Sequence, residues 1–232
     1  MNFEPGIVAG TAADELAFIE ETLAAPVVSA IVRIWLYTRP AVVLGCAQRP
    51  DDAMRARAAA AGFDLVVRPS GGGAVLAGAW MLASTVILPP RHARVDVRIR
   101  ESFRWFGLAH EAVLRRAGIE AAAVADVSPA ANDDPLAWAC FSRLSWWEVQ
   151  SAGRKLVGLA QARRRHGVVL SSGVLIADQP WEGLCDVLAR PRADAAALRA
   201  RTIACEDLSR VPAAAIAPAL ASALRAELQG QM

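Results

Sequence analysis

Lys155 is the only lysine in this sequence of 232 residues, which contains 25 lysine and arginine residues in total. Arginine is a planar, permanently charged fork, whereas the lysine ammonium is a compact charge on a flexible stem and responds to burial. The lysine lies in the strand-like run Gly153-Arg154-Lys155-Leu156-Val157-Gly158, where small residues leave room for a ligand. These residues leave two interpretations open: a stray surface lysine, or an ammonium that acts on a reacting group.

A second candidate is the glycine-rich segment Arg68-Pro69-Ser70-Gly71-Gly72-Gly73-Ala74-Val75, which follows a predicted strand. Three consecutive glycines let the backbone approach a ligand closely and can turn N–H groups inward to bind an anion. Arg68 adds a guanidinium that suits a carboxylate or a phosphate. The segment lacks the Gly-Lys-Ser/Thr ending of a P-loop. A structural loop between two strands remains the alternative.

Composition excludes several classes of protein. Hydrophobic residues make up 55% of the sequence and the net charge is only +2, which indicates a single globular domain over residues 1–232 without a nucleic-acid partner. No apolar run is long enough to span a membrane, and Met1–Pro5 carries no secretory features, so we expect a cytoplasmic protein without membrane contact. The four cysteines are widely spaced, which argues against a metal site or a disulfide framework.

Helical and strand-like patterns alternate irregularly along the chain. A helix is predicted from Thr11 to Leu23 with Thr11 as its N-cap, and a longer helix over about residues 98–117. Strand-like runs are predicted at residues 27–37, 41–45, 63–67, 81–88, 144–150, 155–160 and 168–176. The last two flank a polar turn and predict a hairpin. This order favours a mixed α+β fold over a doubly wound parallel sheet.

The glycine-rich segment and the lysine segment occur together with a third motif. They are Arg-Pro-Ser-Gly-Gly-Gly-Ala-Val at residues 68–75, Gly-Arg-Lys-Leu-Val-Gly-Leu-Ala-Gln-Ala-Arg at 153–163, and Val-Val-Leu-Gly-Cys-Ala-Gln at 42–48. Together they resemble the lipoate–protein ligase A family over residues 10–178. The resemblance implies a core like that of class II aminoacyl-tRNA synthetases and biotin ligases, with a largely antiparallel sheet flanked by helices. A short helical segment at residues 181–232 would follow this core.

The resemblance also implies roles for individual residues. Lys155 falls on the active-site lysine of the family, so its ammonium would hold the acyl oxygen where negative charge develops. Gly158 and Ala160 would leave room for the acyl chain. The other substrate-binding residues implied are Arg68, Ser70, Gly71, Gly72, Gly73 and Val75.

The resemblance implies a product in which an octanoyl or lipoyl group is joined by an amide to a lysine of a lipoyl domain or glycine-cleavage H protein. Two routes lead to this product, and they differ in whether Cys140 takes part. The Cys140-Phe141 pair resembles the cysteine-dependent branch, which takes octanoate from acyl carrier protein as a thioester and needs no cofactor. The alternative is a ligase that activates lipoate with ATP and Mg²⁺ as lipoyl-AMP. Neither route implies a metal site built by the protein alone. Cys46, Cys185 and Cys205 are expected to be packing residues.

The sequence departs from the family pattern at two places. Leu76 is followed by Ala77-Gly78 where the family carries His-Asp, and Ser171-Ser172-Gly173 replaces a His-Gly element. These losses argue most strongly against adenylate chemistry. They also leave open a paralogue that binds acyl groups without turnover.

Overall fold

A computed structural model describes residues 6–127, 134–210 and 212–229 of the chain. The segment Met1–Pro5, on which the prediction against secretion depends, lies outside these residues. In the described ranges, no helix has both the length and the apolar character needed to cross a membrane.

The strands of the described residues form two sheets. They are β1 (Ile7–Gly10), β2 (Ile31–Tyr37), β3 (Ala41–Leu44), β4 (Asp64–Val67), β5 (Val75–Ala77), β6 (Met81–Leu88), β7 (Ala122–Ala123), β8 (Val149–Ser151), β9 (Arg154–Arg163) and β10 (Val168–Leu175). The larger sheet has the order β1-β2-β6-β10-β9-β8-β7, and the smaller has the order β4-β3-β5. Every pairing in the larger sheet is antiparallel except that of β1 with β2. The predicted mixed, largely antiparallel fold is therefore confirmed.

Helices flank these sheets, and the last three follow β10 as predicted. They are α1 (Ala12–Leu23), α2 (Asp52–Ala60), α3 (Ile99–Ser102), α4 (Arg104–Arg116), α5 (Trp181–Val187), α6 (Ala193–Arg201) and α7 (Ala213–Gln229). Thr11 caps α1 in a reciprocal capping box with Asp14, as its position predicts. The predicted helix over residues 98–117 is divided into α3 and α4 at Phe103.

The β9–β10 hairpin is the element that carries Lys155, and it lies where the sequence predicts it. The strand predicted for residues 144–150 is wrong over most of its length, because β8 begins only at Val149. Trp147 has a positive φ of 64°, and Ser145 donates its backbone N–H to the Glu148 carboxylate at 2.6 Å. This φ angle and this hydrogen bond give residues 145–148 the shape of a turn, although the aromatic residues there are typical of a strand.

One side of the larger sheet carries small side chains where β9, β10 and β6 meet. Ala160 pairs with Ser171, which pairs with Thr85, and paired residues of adjacent strands point to the same side. Gly158 and Gly173 form the neighbouring row. These short side chains leave a shallow floor, and residues of α1 and of the smaller sheet lie across a cavity from it.

Candidate active site

Lys155 is buried at the start of β9, with 2% of its surface exposed. Its ammonium contacts the Glu148 carboxylate at 2.7 Å and donates to the carbonyls of Cys140 and Arg143 at 2.9 and 3.0 Å. The lone lysine is thus no stray surface residue. Because an ammonium has three hydrogens, these three acceptors use all of them. A bond from Lys155 to an acyl oxygen would require one of these contacts to be released.

Glu148 holds this lysine and shapes the backbone around it. Its carboxylate accepts the backbone N–H groups of Ser145 and Leu159 at 2.6 and 3.0 Å, besides its contact with Lys155. The carboxylate is as deeply buried as the ammonium. A buried charge pair whose remaining hydrogen-bonding groups are also satisfied fixes the geometry of its surroundings. Glu148 therefore ties the turn before β8 to the middle of β9.

Cys140 lies at the junction of a cleft and an apolar cavity. It is partly exposed and begins a short 3-10 helix, and its backbone N–H donates to the carbonyl of Ala74 beside the glycine-rich segment. Lys155 and Gly71–Gly73 line the cleft, whereas the cavity extends over the floor of the larger sheet. The residues that line both are Ser70, Cys140, Leu159, Ala160 and Gln161.

The glycine-rich segment is held in place by Arg68. The buried guanidinium of Arg68 donates to the Ser70 hydroxyl at 3.0 Å and to the carbonyls of Gly71 and Gly73 at 2.7 and 2.8 Å. Within the described part of the chain, the N–H groups of Gly71, Gly72 and Gly73 have no hydrogen-bond partner. Arg68 therefore fixes the carbonyls of the segment and leaves its N–H groups available to an anion.

Gly72 brings this backbone next to the thiol. Its φ of +94° lies in the region that favours glycine, and a Cβ added there would lie 3.9 Å from the Cys140 sulfur. The same Cβ would lie 3.0 Å from Nη2 of Arg68. The segment is thus a backbone site for negative charge beside a partly exposed thiol.

The apolar cavity has a volume of about 90 Å³. Gly158 and Ala160 form part of its floor, and Val75 faces it from the smaller sheet. Gly158 also admits Phe141, because a Cβ there would lie 3.0 Å from the Phe141 ring. An extended apolar chain is the ligand that such walls would bind.

Glu15 is a polar group in the wall of this cavity. It is 8% exposed, and it accepts hydrogen bonds from the hydroxyls of Tyr37 and Thr85. Burial raises the pKa of the Glu15 carboxyl, and burial next to Glu15 raises the pKa of Tyr37 well above its usual range. The Glu15 carboxyl therefore favours its neutral form more than an exposed glutamate does.

A second buried polar chain lies on the opposite side of the larger sheet, under α4. Nδ1 of His110 lies 2.7 Å from the carbonyl of Phe106, so Nδ1 carries the hydrogen and Nε2 accepts from Ser172 at 2.8 Å. The hydroxyls of Ser172 and Ser84 are 2.6 Å apart. Burial lowers the pKa of His110 to about 4. This chain therefore supplies buried neutral hydrogen bonds that join α4 to the sheet.

The structure brings all the predicted site residues to the cavity and the cleft. The cavity is lined by Arg68, Ser70, Val75, Cys140, Gly158 and Ala160. The cleft is lined by Ser70, Gly71, Gly72, Gly73, Cys140, Lys155 and Ala160. The sequence predicts that Arg68 binds a carboxylate or a phosphate of the ligand. Its guanidinium instead binds the glycine-rich segment of the protein itself.

Two site residues, Glu148 and Glu15, are not predicted from the sequence. A turn separates Glu148 from Lys155, so no periodic spacing joins them. The position of Glu15 does indicate burial, because Ala12, Glu15 and Ile19 are spaced along one face of α1, and that face is buried.

The other cysteines do not line the cavity or the cleft. Cys185 and Cys205 are buried packing residues as expected, and burial raises the pKa of their thiols to about 11 and about 12. Cys46 is exposed, so its expected packing role is wrong. Across the described ranges, no three His, Cys, Asp or Glu residues are grouped to hold a metal ion.

Comparison with known proteins gives a family match over most of the chain. The family described as the lipoyl protein ligase A/B catalytic domain matches residues 12–217. Octanoyltransferase LipM of Kyrpidia tusciae is 32% identical over 163 residues, which cover 69% of this chain and 59% of that protein. The chain thus spans less than two thirds of that relative.

Solved structures show the same fold at lower identity. Lipoate-protein ligase A bound with ATP has a TM-score of 0.69 and 22% identity, covering 96% of this chain and 83% of that one. The bi-partite lipoate protein ligase from Thermoplasma acidophilum, described together with its E2 lipoyl domain, has a TM-score of 0.72 and 21% identity. That match covers 98% of this chain and 84% of the archaeal chain.

Proposed function

Because the chain belongs to the family of lipoyl protein ligase A/B catalytic domains, we propose that it attaches an octanoyl group to a lysine of a lipoyl domain or glycine-cleavage H protein. The group would come from acyl carrier protein through a thioester on Cys140, in the cytoplasm and without a cofactor. The position of Cys140 between an apolar cavity and an open cleft carries this proposal. The name of the octanoyltransferase relative also supports it.

In the first step, the Cys140 sulfur attacks the thioester carbonyl of the octanoyl carrier. A new carbon–sulfur bond forms, the carrier's carbon–sulfur bond breaks, and the proton lost by Cys140 ends on the thiol of the carrier. The acyl chain enters the cavity while the carrier stays outside the cleft. Because one thioester replaces another, the step needs no nucleoside triphosphate.

In the second step, the neutral amine of the acceptor lysine attacks the Cys140 thioester. The amide bond forms, the Cys140 carbon–sulfur bond breaks, and one amine proton returns to the thiolate. Both steps develop negative charge on the acyl oxygen. The N–H groups of Gly71–Gly73 and the buried charge of Lys155 are the groups that would stabilise it.

Lys155 also positions the nucleophile in this mechanism. Its bonds to the carbonyls of Cys140 and Arg143 hold both ends of the 3-10 helix that starts with the nucleophile. The Glu148 carboxylate keeps the Lys155 ammonium in place.

A second candidate is an ATP-dependent lipoate–protein ligase. The free N–H groups of Gly71–Gly73 would suit a phosphate as well as an acyl oxygen, and one structure of the same fold was solved with ATP. In that case ATP would supply the activation, with Mg²⁺ as its counterion. Gly71–Gly73 would hold the phosphate, and the cavity would hold the acyl chain.

One experiment separates these candidates. The purified protein is incubated with octanoyl-carrier protein, or with lipoate, ATP and Mg²⁺, and its intact mass is measured before and after hydroxylamine. We expect an octanoyl adduct that hydroxylamine removes, that Cys140→Ala abolishes, and that the exposed-thiol control Cys46→Ala retains. Modification of a lipoyl domain that requires ATP and survives Cys140→Ala would establish the ligase instead. Octanoate binding without any transfer would indicate a paralogue that binds acyl groups only.

A further inference from the structure

The position of Glu15 in the acyl cavity bears on which acyl groups Cys140 accepts. Glu15 lines the cavity but not the cleft, whereas Cys140 and Ala160 line both. The shared residues Cys140 and Ala160 mark the mouth of the cavity, and Glu15 lies on a part of its wall that the cleft does not reach. The mechanism proposed above does not use this buried carboxyl.

The register of the sheet gives the distance between these two ends. Ala160 at the mouth pairs with Ser171, and Ser171 pairs with Thr85, whose hydroxyl donates to Glu15. Two steps between neighbouring strands span about 10 Å. An extended octanoyl chain is about 9 Å long from standard carbon–carbon bonds. The distance from the mouth to the partner of Glu15 thus matches a chain of this length.

The polar contacts around Glu15 form a connected set. The indole N–H of Trp35 donates to the Thr85 hydroxyl at 3.2 Å, and the hydroxyls of Thr85 and Tyr37 each donate to the Glu15 carboxyl. A longer acyl chain would have to displace this carboxyl and break its hydrogen bonds inside an apolar region. Buried polar groups that lose their partners are costly, so the set resists such displacement.

We propose that Glu15, held by Tyr37 and Thr85, closes the inner end of the cavity and limits the acyl chain to about eight carbons. This inference rests on the proposed function, because it concerns the chain carried by Cys140. It makes Glu15 a specificity-determining residue that acts by its size and position. A side chain of the same size should preserve the limit, and a smaller one should remove it.

The test compares octanoyl-, decanoyl- and dodecanoyl-carrier proteins as donors and measures Cys140 thioester formation by intact mass. Wild type and the isosteric variant Glu15→Gln should both prefer octanoyl. Glu15→Ala should raise the decanoyl-to-octanoyl ratio by about tenfold, because two more methylene groups become buried. The exposed control Glu21→Ala, on the same helix, should keep the wild-type ratio.

The outcomes distinguish this inference from the proposed function. If wild type forms no Cys140 thioester with any donor, the proposed function fails. If wild type is acylated and Glu15→Ala keeps its preference for octanoyl, the inference alone is overturned. Should Glu15→Ala not fold, the smaller change Glu15→Ser takes its place with the same ratio as its readout. A loss of rate that is equal for all donors would also contradict a length limit.

Discussion

At the scale of single residues, the buried pair of Lys155 and Glu148 determines how Cys140 is held. Both side chains are nearly inaccessible to solvent, and their contacts reach Cys140, Arg143 and Leu159. Removing one member of a buried pair leaves the other charge without compensation. The pair therefore links the stability of the fold to the geometry of the thiol.

We expect Lys155→Met to lower the free energy of unfolding by about 3–5 kcal/mol, because Glu148 would stay buried without a counter-charge. Adding Glu148→Gln should recover part of this loss. Urea unfolding of the two single variants and the double variant measures the coupling. Arg39→Met removes the exposed ion pair with Asp64 and should cost no more than about 1 kcal/mol. Equal losses for Lys155→Met and Arg39→Met would contradict a buried pair.

His110 should make the folded state sensitive to acid. Burial keeps its pKa near 4 in the fold, against about 6.5 in the unfolded chain. The stability due to neutral His110 is present above pH 6.5 and is lost as the pH falls towards 4. The shift corresponds to a loss of about 3 kcal/mol over that range. Urea unfolding at several pH values should show this decline in the wild type and a flatter profile in His110→Gln. An unchanged slope in the variant would assign the decline to other groups.

At the scale of elements, the glycine-rich segment connects β4 of the smaller sheet to β5 and passes beside the 3-10 helix of Cys140. Arg68, which directly follows β4, holds two of its carbonyls. The segment is thus preorganised by its own first side chain. A side chain added at Gly72 would press against Nη2 of Arg68 and come into van der Waals contact with the Cys140 sulfur.

Gly72→Ala should lower stability by about 1–2 kcal/mol through its positive φ, and it should also slow the acylation of Cys140. Gly62 provides a matched control, because its φ is +73° and a Cβ there would meet nothing within 4 Å. Gly62→Ala should show a similar stability loss with unchanged acylation. Thermal unfolding and the rate of thioester formation measure the two effects separately. If both variants form the Cys140 thioester at the same rate, the glycine-rich segment does not take part in the reaction.

The elements differ in how far the sequence predicts them. The hairpin of β9 and β10, the cap at Thr11 and the bounds of β6 follow from local signals, namely turn residues, a capping pattern and an apolar run. The turn at Trp146–Trp147 does not, because its conformation depends on the Glu148 carboxylate, which reaches across to β9. The cysteine, the lysine and the glycines of the site are found through their motifs. The positions of the carboxylates Glu148 and Glu15 depend on tertiary contacts, which no local sequence pattern predicts.

At the scale of the whole molecule, one buried cluster includes residues of both sheets and of α7. Ile216, Leu220 and Leu224 of α7 belong to the same cluster as Leu44 of the smaller sheet and Leu170 of the larger one. The helix packs against α4, β1 and β2. The C-terminal helix thus belongs to the same packed cluster as both sheets.

Leu224→Ala should lower the free energy of unfolding by about 2–5 kcal/mol, because it empties a fully buried position. If the chain is one domain, the variant should shift a single transition, and tryptophan fluorescence and Cys140 reactivity should change together. Two separate transitions would show that α7 and the site unfold independently.

The burial of the only lysine has a consequence for the proposed transfer of an acyl group to lysine. A reactive acyl thioester can modify any nearby free amine, including one on the surface of the enzyme that carries it. Here the sole ε-amine is 2% exposed and charge-paired, so the folded chain offers no lysine side chain for self-modification. An amine-reactive ester should accordingly leave Lys155 unlabelled until the protein is denatured.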